Sequence, residues 1–102
     1  MGDTRISVEQ LRAATGIRLF DIRKRPSDDQ IPGSEPCDGI ELETGAHVPF
    51  HKDDKVVLYC GSGTSCSRIA DMLGDRGYDV RALEGGYAAW IDAGMPTEQR
   101  SY

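Results

Sequence analysis

An α/β domain with a mainly parallel sheet and helices on both faces is the architecture this 102-residue chain predicts. Short apolar runs alternate with helix-periodic runs, and that alternation gives parallel strands joined by right-handed crossovers. The firmest unit is in the second half, where the apolar run Val56-Val57-Leu58-Tyr59 meets a six-residue loop, Cys60-Gly61-Ser62-Gly63-Thr64-Ser65, and then a helix-like run. With 38% hydrophobic and 28% charged residues, the chain is of a size to bury one core.

Ser7-Val8-Glu9-Gln10 has the form of a capping box opening a short helix, with Val8, Leu11 and Ala14 on one face and Gly16 as a left-handed stop. Arg18 to Ile22 reads as a short strand with Asp21 at its carboxyl end. From Lys24 to Asp54, Pro26, Pro32, Pro36 and Pro49 with several glycines predict a stretch that is mostly loop, in which Ile40-Glu41-Leu42 is the one plausible strand. A loop-rich stretch of that length tends to wall a functional site. Lys55 to Tyr59 reads as a central strand. Cys66 to Arg76 reads as a helix with Ile69, Ala70, Met72 and Leu73 toward the core and Gly77 as its cap, and Val80 to Leu83 as the next strand. Gly85-Gly86 turns the chain into a last helix, Tyr87 to Ala93, with Tyr87, Trp90 and Ile91 on an apolar stripe and Gly94 and Pro96 ending it. There is no internal repeat, and one domain over residues 1–102 accounts for the sequence.

In parallel sheets the sites lie at the carboxyl ends of strands, and Cys60 stands at one such end. Its loop leads into a helix, so backbone N–H groups are available to turn inward around the sulfur at the positive end of that helix. Such a cradle favours the thiolate, the nucleophilic form of cysteine, and predicts a Cys60 pKa below the roughly 8.5 of a free thiol.

The formal net charge is −5 and the Lys and Arg residues are scattered, which argues against a nucleic-acid partner. No apolar run is long enough to span a bilayer and no secretory signal follows the first residues, so a cytoplasmic location is expected. Cys37, Cys60 and Cys66 form no C-x-x-C pair, and His47 and His51 are not spaced with them as zinc ligands usually are. Thiol chemistry is expected, with neither a metal site nor a disulfide scaffold.

Several motifs together resemble the single-domain rhodaneses, a family of sulfurtransferase modules. Asp21-Ile22-Arg23 is similar to the family's Asp-x-Arg, and Ile31-Pro32-Gly33-Ser34 to its His-Ile-Pro-Gly-Ala, with Gln30 where histidine is usual. Leu83-Glu84-Gly85-Gly86-Tyr87-Ala88-Ala89-Trp90, followed by Ala93-Gly94-Met95-Pro96, closely resembles the Leu-x-Gly-Gly-x-x-x-Trp…Gly-x-Pro ending. The active loop is more similar to the Cys-Gly-Ser-Gly-Val-Thr of 3-mercaptopyruvate sulfurtransferases than to the Cys-Arg-Lys-Gly-Val-Thr of thiosulfate-preferring enzymes. The two-domain mercaptopyruvate enzymes draw other substrate and proton-transfer groups from a second domain, which residues 1–102 do not include.

The resemblance implies a five-stranded rhodanese-like domain and a sulfurtransferase working through a Cys60 persulfide, without metal or organic cofactor. A small-molecule donor, 3-mercaptopyruvate or thiosulfate, would load it, and a thiol such as thioredoxin, glutathione or a sulfur-carrier protein, or else cyanide, would unload it. Gly61, Ser62, Gly63, Thr64, Ser65 and Cys66 are the expected substrate-binding loop, with direct contact expected first from Ser62 and Thr64, while Ser65 also suits helix capping. Arg23 either faces the donor's carboxylate or braces the site in an ion pair, the latter being the simpler role. Cys66 is most simply a packing residue, and its sharper reading is a resolving thiol. Cys37, His47, His51, Asp53 and Asp54 read as incidental or surface residues, Arg68 as a solvated helix face, and Trp90 as core.

Two rivals stand beside this reading. A phosphatase or arsenate reductase of the same fold needs a longer loop and an arginine that grips the phosphoryl group, and residues 61–65 contain none. A non-enzymatic module for redox or persulfide sensing or protein interaction commonly lacks the cysteine that this chain keeps.

Overall fold

The computed structural model describes residues 4–23 and 29–99. Lys24 and Pro26 of the predicted loop, and the outermost residues of the expected 1–102 domain, lie outside them. The middle strand is β5 (Lys55–Tyr59), and Val56 to Tyr59 are all buried, as a strand covered on both faces requires. It pairs with β2 (Arg18–Asp21) on one side and β6 (Asp79–Leu83) on the other, with Asp21 opposite Tyr59. β1 (Arg5–Ile6) and β4 (Glu35–Pro36) form the edges, and the order β1-β6-β5-β2-β4 is parallel at every pairing. Pro36 is tolerated because an edge strand leaves one side of its backbone unpaired.

The strand period of two divides the core. Val56, Leu58 and Cys60 face α2 (Gly39–Thr44) and α3 (Thr64–Asp75), packing with Phe20, Leu42, Ile69 and Leu73. Val57 and Tyr59 face the opposite way, toward Leu11 of α1 (Val8–Ala13) and Trp90 of α4 (Gly86–Asp92). Helices therefore cover both faces of a five-stranded parallel sheet. A separate antiparallel pair, β3 (Asp29–Gln30) with β7 (Glu98–Gln99), closes the far end of the chain onto the middle. Gln30, at the position where the resemblance leads one to expect histidine, donates its Nε2 to Glu98 at 2.8 Å and to the Ser34 carbonyl at 3.2 Å. No helix among the described residues is long and apolar enough to cross a membrane.

Several expected boundaries move. Ile40-Glu41-Leu42 is not a strand but the body of α2, capped by the Asp38 side chain on the Ile40 N–H at 2.8 Å and stopped by Gly45 at φ 79°. Only Leu42 is buried there and Ile40 is 60% exposed, so one short apolar triplet carried no period by which to tell helix from strand. The expected strand through Ile22 ends at Asp21, although the Ile22 N–H still reaches the Tyr59 carbonyl at 2.9 Å. The capping box at Ser7 is formed in both directions, but α1 stops at Ala13 and Ala14 is already extended, so Gly16 turns the chain after the helix instead of ending it. Helix α3 begins at Thr64, two residues before Cys66, and ends in a left-handed Gly77 whose neighbours make the paired bonds of a Schellman stop. β6 takes in Asp79, and α4 begins at Gly86. Ile91 is 45% exposed and leaves the apolar stripe, which is carried by buried Trp90 with its indole N–H on the Pro96 carbonyl at 2.7 Å.

Candidate active site

Strand β5 delivers Cys60 to the carboxyl edge of the sheet, and the next five residues fold back over its sulfur. The Gly63 N–H points at Cys60 Sγ from 3.1 Å and the Cys66 N–H from 3.5 Å. Both belong to the start of α3, where backbone donors have no partners within the helix. Cys66 Sγ lies 3.4 Å from Cys60 Sγ. The Cys66 thiol hydrogen bond is the largest influence lowering the Cys60 pKa, followed, against the opposing effect of burial, by the N–H groups of Cys66, Gly63 and Ser62, which together bring it down to about 5. The same contact, with burial, pushes Cys66 well above its ordinary value, so Cys66 keeps its proton and Cys60 is the thiolate.

Alkylation checks this directly. The rate of iodoacetamide reaction at Cys60 is expected to inflect near pH 5, and Cys66→Ala to raise the inflection by roughly one to two units, the worth of one hydrogen bond to a charged group. The sign carries into stability. A folded pKa below the unfolded one gives stability that is complete above the unfolded thiol's value, shrinks as pH falls through the interval, and is gone below about 5.

What keeps the loop's N–H groups inward is the other end of its peptide units. The Cys60 carbonyl accepts the Tyr87 N–H at 2.7 Å, and the Gly61 carbonyl accepts the Ala88 N–H at 3.0 Å. The first turn of α4 thus grips the loop's carbonyls. The approach is close enough that a Cβ on Gly86, at φ 60°, would stand 2.5 Å from the Cys60 oxygen and 2.7 Å from the Gly63 nitrogen. Gly63, the left-handed residue before α3, is equally confined, since a Cβ there would lie 2.9 Å from the Gly85 nitrogen. Sequence reasoning placed Gly85-Gly86 as a turn only. The available signal was the doubled glycine directly before a helix, which marks close backbone approach as well as turning.

Beside the sulfur opens a pocket of about 920 Å³, walled by Cys60, Gly61, Ser62 and Ser65 on one side and by Asp21 to Arg23 and Pro36 to Ile40 on the other. The loop-rich stretch does wall the site. Ser62 and Ser65 border this pocket, whereas Thr64, expected to touch substrate, is the exposed first residue of α3 and lies outside the lining, as do Gly63 and Cys66 behind the sulfur. Arg23 borders the pocket with its guanidinium committed elsewhere. Its Nη2 is 2.7 Å from Asp21 and 2.8 Å from the Asp29 carbonyl, and the group lies 4.2 Å over the Tyr87 ring. Its side chain is 8% exposed and that of Asp21 1%. Burial alone would lower the Arg23 pKa, but the hydrogen bonds and charge of Asp21 outweigh it and leave it raised. Arg23 is thus a brace. Arg68 is solvated, as read, and also borders the pocket mouth, paired with Glu43 of α2, which lines it too. Cys37 is half-buried in the same wall with its thiol pushed up to about 11 by burial and the nearby Asp38, so it is no competing nucleophile. Among the described residues no three or more His, Cys, Asp or Glu side chains converge as a metal site.

Comparison with known proteins identifies the family and the fold. The profile of the rhodanese-like domain matches residues 4–93. A thiosulfate sulfurtransferase of Escherichia coli, YnjE, is 31% identical across 68% of this chain and 20% of its own length. The chain spans 20% to 27% of the length of the curated relatives it matches. The rhodanese-like domain of an Anabaena protein shares the fold, with a TM-score of 0.81 at 23% identity over 96% of this chain and 80% of that one. A Rhodopseudomonas palustris protein of unknown function, described as a possible tyrosine phosphatase, superposes with a TM-score of 0.77 at 31% identity over 94% and 85% of the two chains.

Proposed function

Because the chain belongs to the rhodanese-like domain family, we propose that it is a sulfurtransferase in which the Cys60 thiolate takes the outer sulfur of a small donor and carries it as a persulfide. The observation that carries this reading is the convergence of the Gly63 and Cys66 N–H groups and the Cys66 thiol on one cysteine sulfur beside an open pocket. Cys60 Sγ attacks the donor's terminal sulfur, a sulfur–sulfur bond forms, and the remainder of the donor departs with the electron pair of the bond it loses. The negative charge then rests on the outer sulfur, on the pocket side of Cys60. An acceptor thiol or cyanide removes that sulfur and returns the thiolate. A phosphatase reading lacks its central group, since the loop from Gly61 to Ser65 has no arginine and Arg68 is held by Glu43 outside it.

The test is loading. At the earliest times after donor is added the intact mass gains one sulfur atom, fragmentation places it on Cys60, and cyanide removes it as thiocyanate. Sulfur found on Cys37 alone, or a Cys60 that neither gains sulfur nor is oxidised when donor is present, overturns the assignment.

Donor preference follows from the loop. Residues 61–65 offer glycines and hydroxyls, and among the described residues the exposed cation lining the pocket is Arg68, already facing Glu43, which suits the single carboxylate of 3-mercaptopyruvate better than the thiosulfate dianion. A Cβ at Gly61 meets nothing within 4 Å, so Gly61→Arg is accommodated. It is expected to shift relative kcat/KM toward thiosulfate by about tenfold or more, one charge-assisted contact. Wild-type turnover already much faster with thiosulfate would show that loop composition does not choose the donor.

A further inference from the structure

Transfer through Cys60 gives the Cys66 sulfur no covalent task. That sulfur is fully buried, 3.4 Å from Cys60 Sγ and 4.0 Å from the Leu83 carbonyl oxygen, and both cysteines are free. Two sulfurs at that separation already form a near-attack pair, for which about 3–3.5 Å is typical. Cys60 borders the pocket and Cys66 does not, so a sulfur accepted from the pocket joins Cys60 Sγ on its open side and leaves the buried Cys66 sulfur in contact with it. We propose that Cys66 resolves the Cys60 persulfide from within, attacking its inner sulfur to close a Cys60–Cys66 disulfide and expel hydrosulfide. The inference rests on the persulfide reading above.

The step balances without a further oxidant. A bond forms between Cys66 Sγ and Cys60 Sγ, and the bond from Cys60 Sγ to the outer sulfur breaks, its electron pair leaving with that sulfur. The Cys66 proton passes to the departing atom, which leaves as HS⁻. Two cysteine sulfurs are oxidised to a disulfide while the sulfane sulfur is reduced to sulfide. Loading also releases Cys66. In the empty site its proton is held first by the hydrogen bond to the Cys60 thiolate and then by burial. Once Cys60 Sγ is bonded to a second sulfur and the charge has moved outward, that hydrogen bond loses its anionic acceptor. The partner this chemistry calls for is a dithiol reductant that reopens the disulfide, oxidising itself, in place of a thiol that carries sulfur away.

The reduced wild-type chain, kept anaerobic and free of added thiol, is treated with thiosulfate or 3-mercaptopyruvate and followed by intact mass and by bimane trapping of hydrosulfide. The expected product has lost two hydrogens, is joined between Cys60 and Cys66 on peptide mapping, and appears with one equivalent of hydrosulfide and only when donor is present. Cys66→Ser keeps a hydroxyl donor beside Cys60 but no sulfur, so it is expected to hold the added sulfur, give it up to cyanide and lose hydrosulfide release. A wild-type chain that retains its added sulfur overturns the resolving role and leaves the Cys60 persulfide standing. Hydrosulfide release undiminished in Cys66→Ser overturns it equally. A wild-type chain that gains no sulfur and closes no disulfide overturns both readings, and since this is read on the wild type, the result does not depend on how the variant folds.

Discussion

Gly86→Ala is expected to slow sulfur loading of Cys60 by roughly a hundredfold, about what the loss of one preorganised donor costs an enzyme, and to remove about 3 kcal/mol of stability. The stability loss has two parts. At φ 60° an alanine pays the left-handed penalty of roughly 1–2 kcal/mol. Its Cβ would also stand 2.5 Å from the Cys60 oxygen, 2.7 Å from the Gly63 nitrogen and 3.0 Å from the Gly61 oxygen, all backbone atoms that move only if α4 withdraws. Withdrawal breaks the Tyr87 and Ala88 bonds to the loop carbonyls, and those peptide units are then free to rotate. The alkylation inflection of Cys60 should rise toward the free-thiol value. Urea unfolding and pH-dependent alkylation measure the two effects separately. A variant that loads sulfur at the wild-type rate, with the inflection unmoved near pH 5, would show that the grip of α4 does not shape the cradle.

Asp21→Ala should cost about 3 kcal/mol or more, because it takes the Asp21 carboxylate away from a guanidinium whose side chain is almost entirely buried. Arg23 would keep the Asp29 carbonyl and the Tyr87 face but lose its carboxylate, and the Arg23 N–H would lose the Asp21 Oδ1 acceptor at 2.9 Å. For a domain of this size the midpoint of thermal unfolding should fall by roughly 15 °C. Replacing both partners by apolar residues, Asp21→Leu with Arg23→Met, should recover much of the loss, since the penalty lies in the unpaired charge more than in the missing attraction. If Asp21→Ala unfolds within about 0.5 kcal/mol of the wild type, the pair does not brace the wall.

The parts of the molecule that were legible in the sequence are those where one residue pattern admits one structure. Val56 to Tyr59 is apolar without interruption and could only be a strand covered on both faces. Cys60, standing between that strand and a helical run, could hardly avoid the start of a helix. Ile40 to Leu42 was misread because α2 is six residues long and buries a single side chain, which leaves no periodicity. Ile91 was misplaced because a seven-residue helix against one face of a sheet needs fewer apolar positions than its sequence supplies. Thr64 was expected in the pocket because the loop was taken to run to Ser65, whereas α3 starts at Thr64 and turns its side chain outward. The grip of α4 on the loop joins carbonyls to N–H groups that no side chain announces, and the pairing of Arg68 with Glu43 joins two helices whose packing the sequence did not disclose.

Because that grip reaches Cys60 from α4, which follows it in the sequence, the nucleophile is also a product of folding beyond its own loop. While α4 is still unmade, in a chain leaving the ribosome or one opened locally by heat, the loop carbonyls have nothing to hold them and Cys60 lacks the oriented N–H groups that help to lower its pKa. The same dependence makes the amide protons of Tyr87 and Ala88 reporters of readiness, since whatever exposes them to exchange also switches the sulfur off.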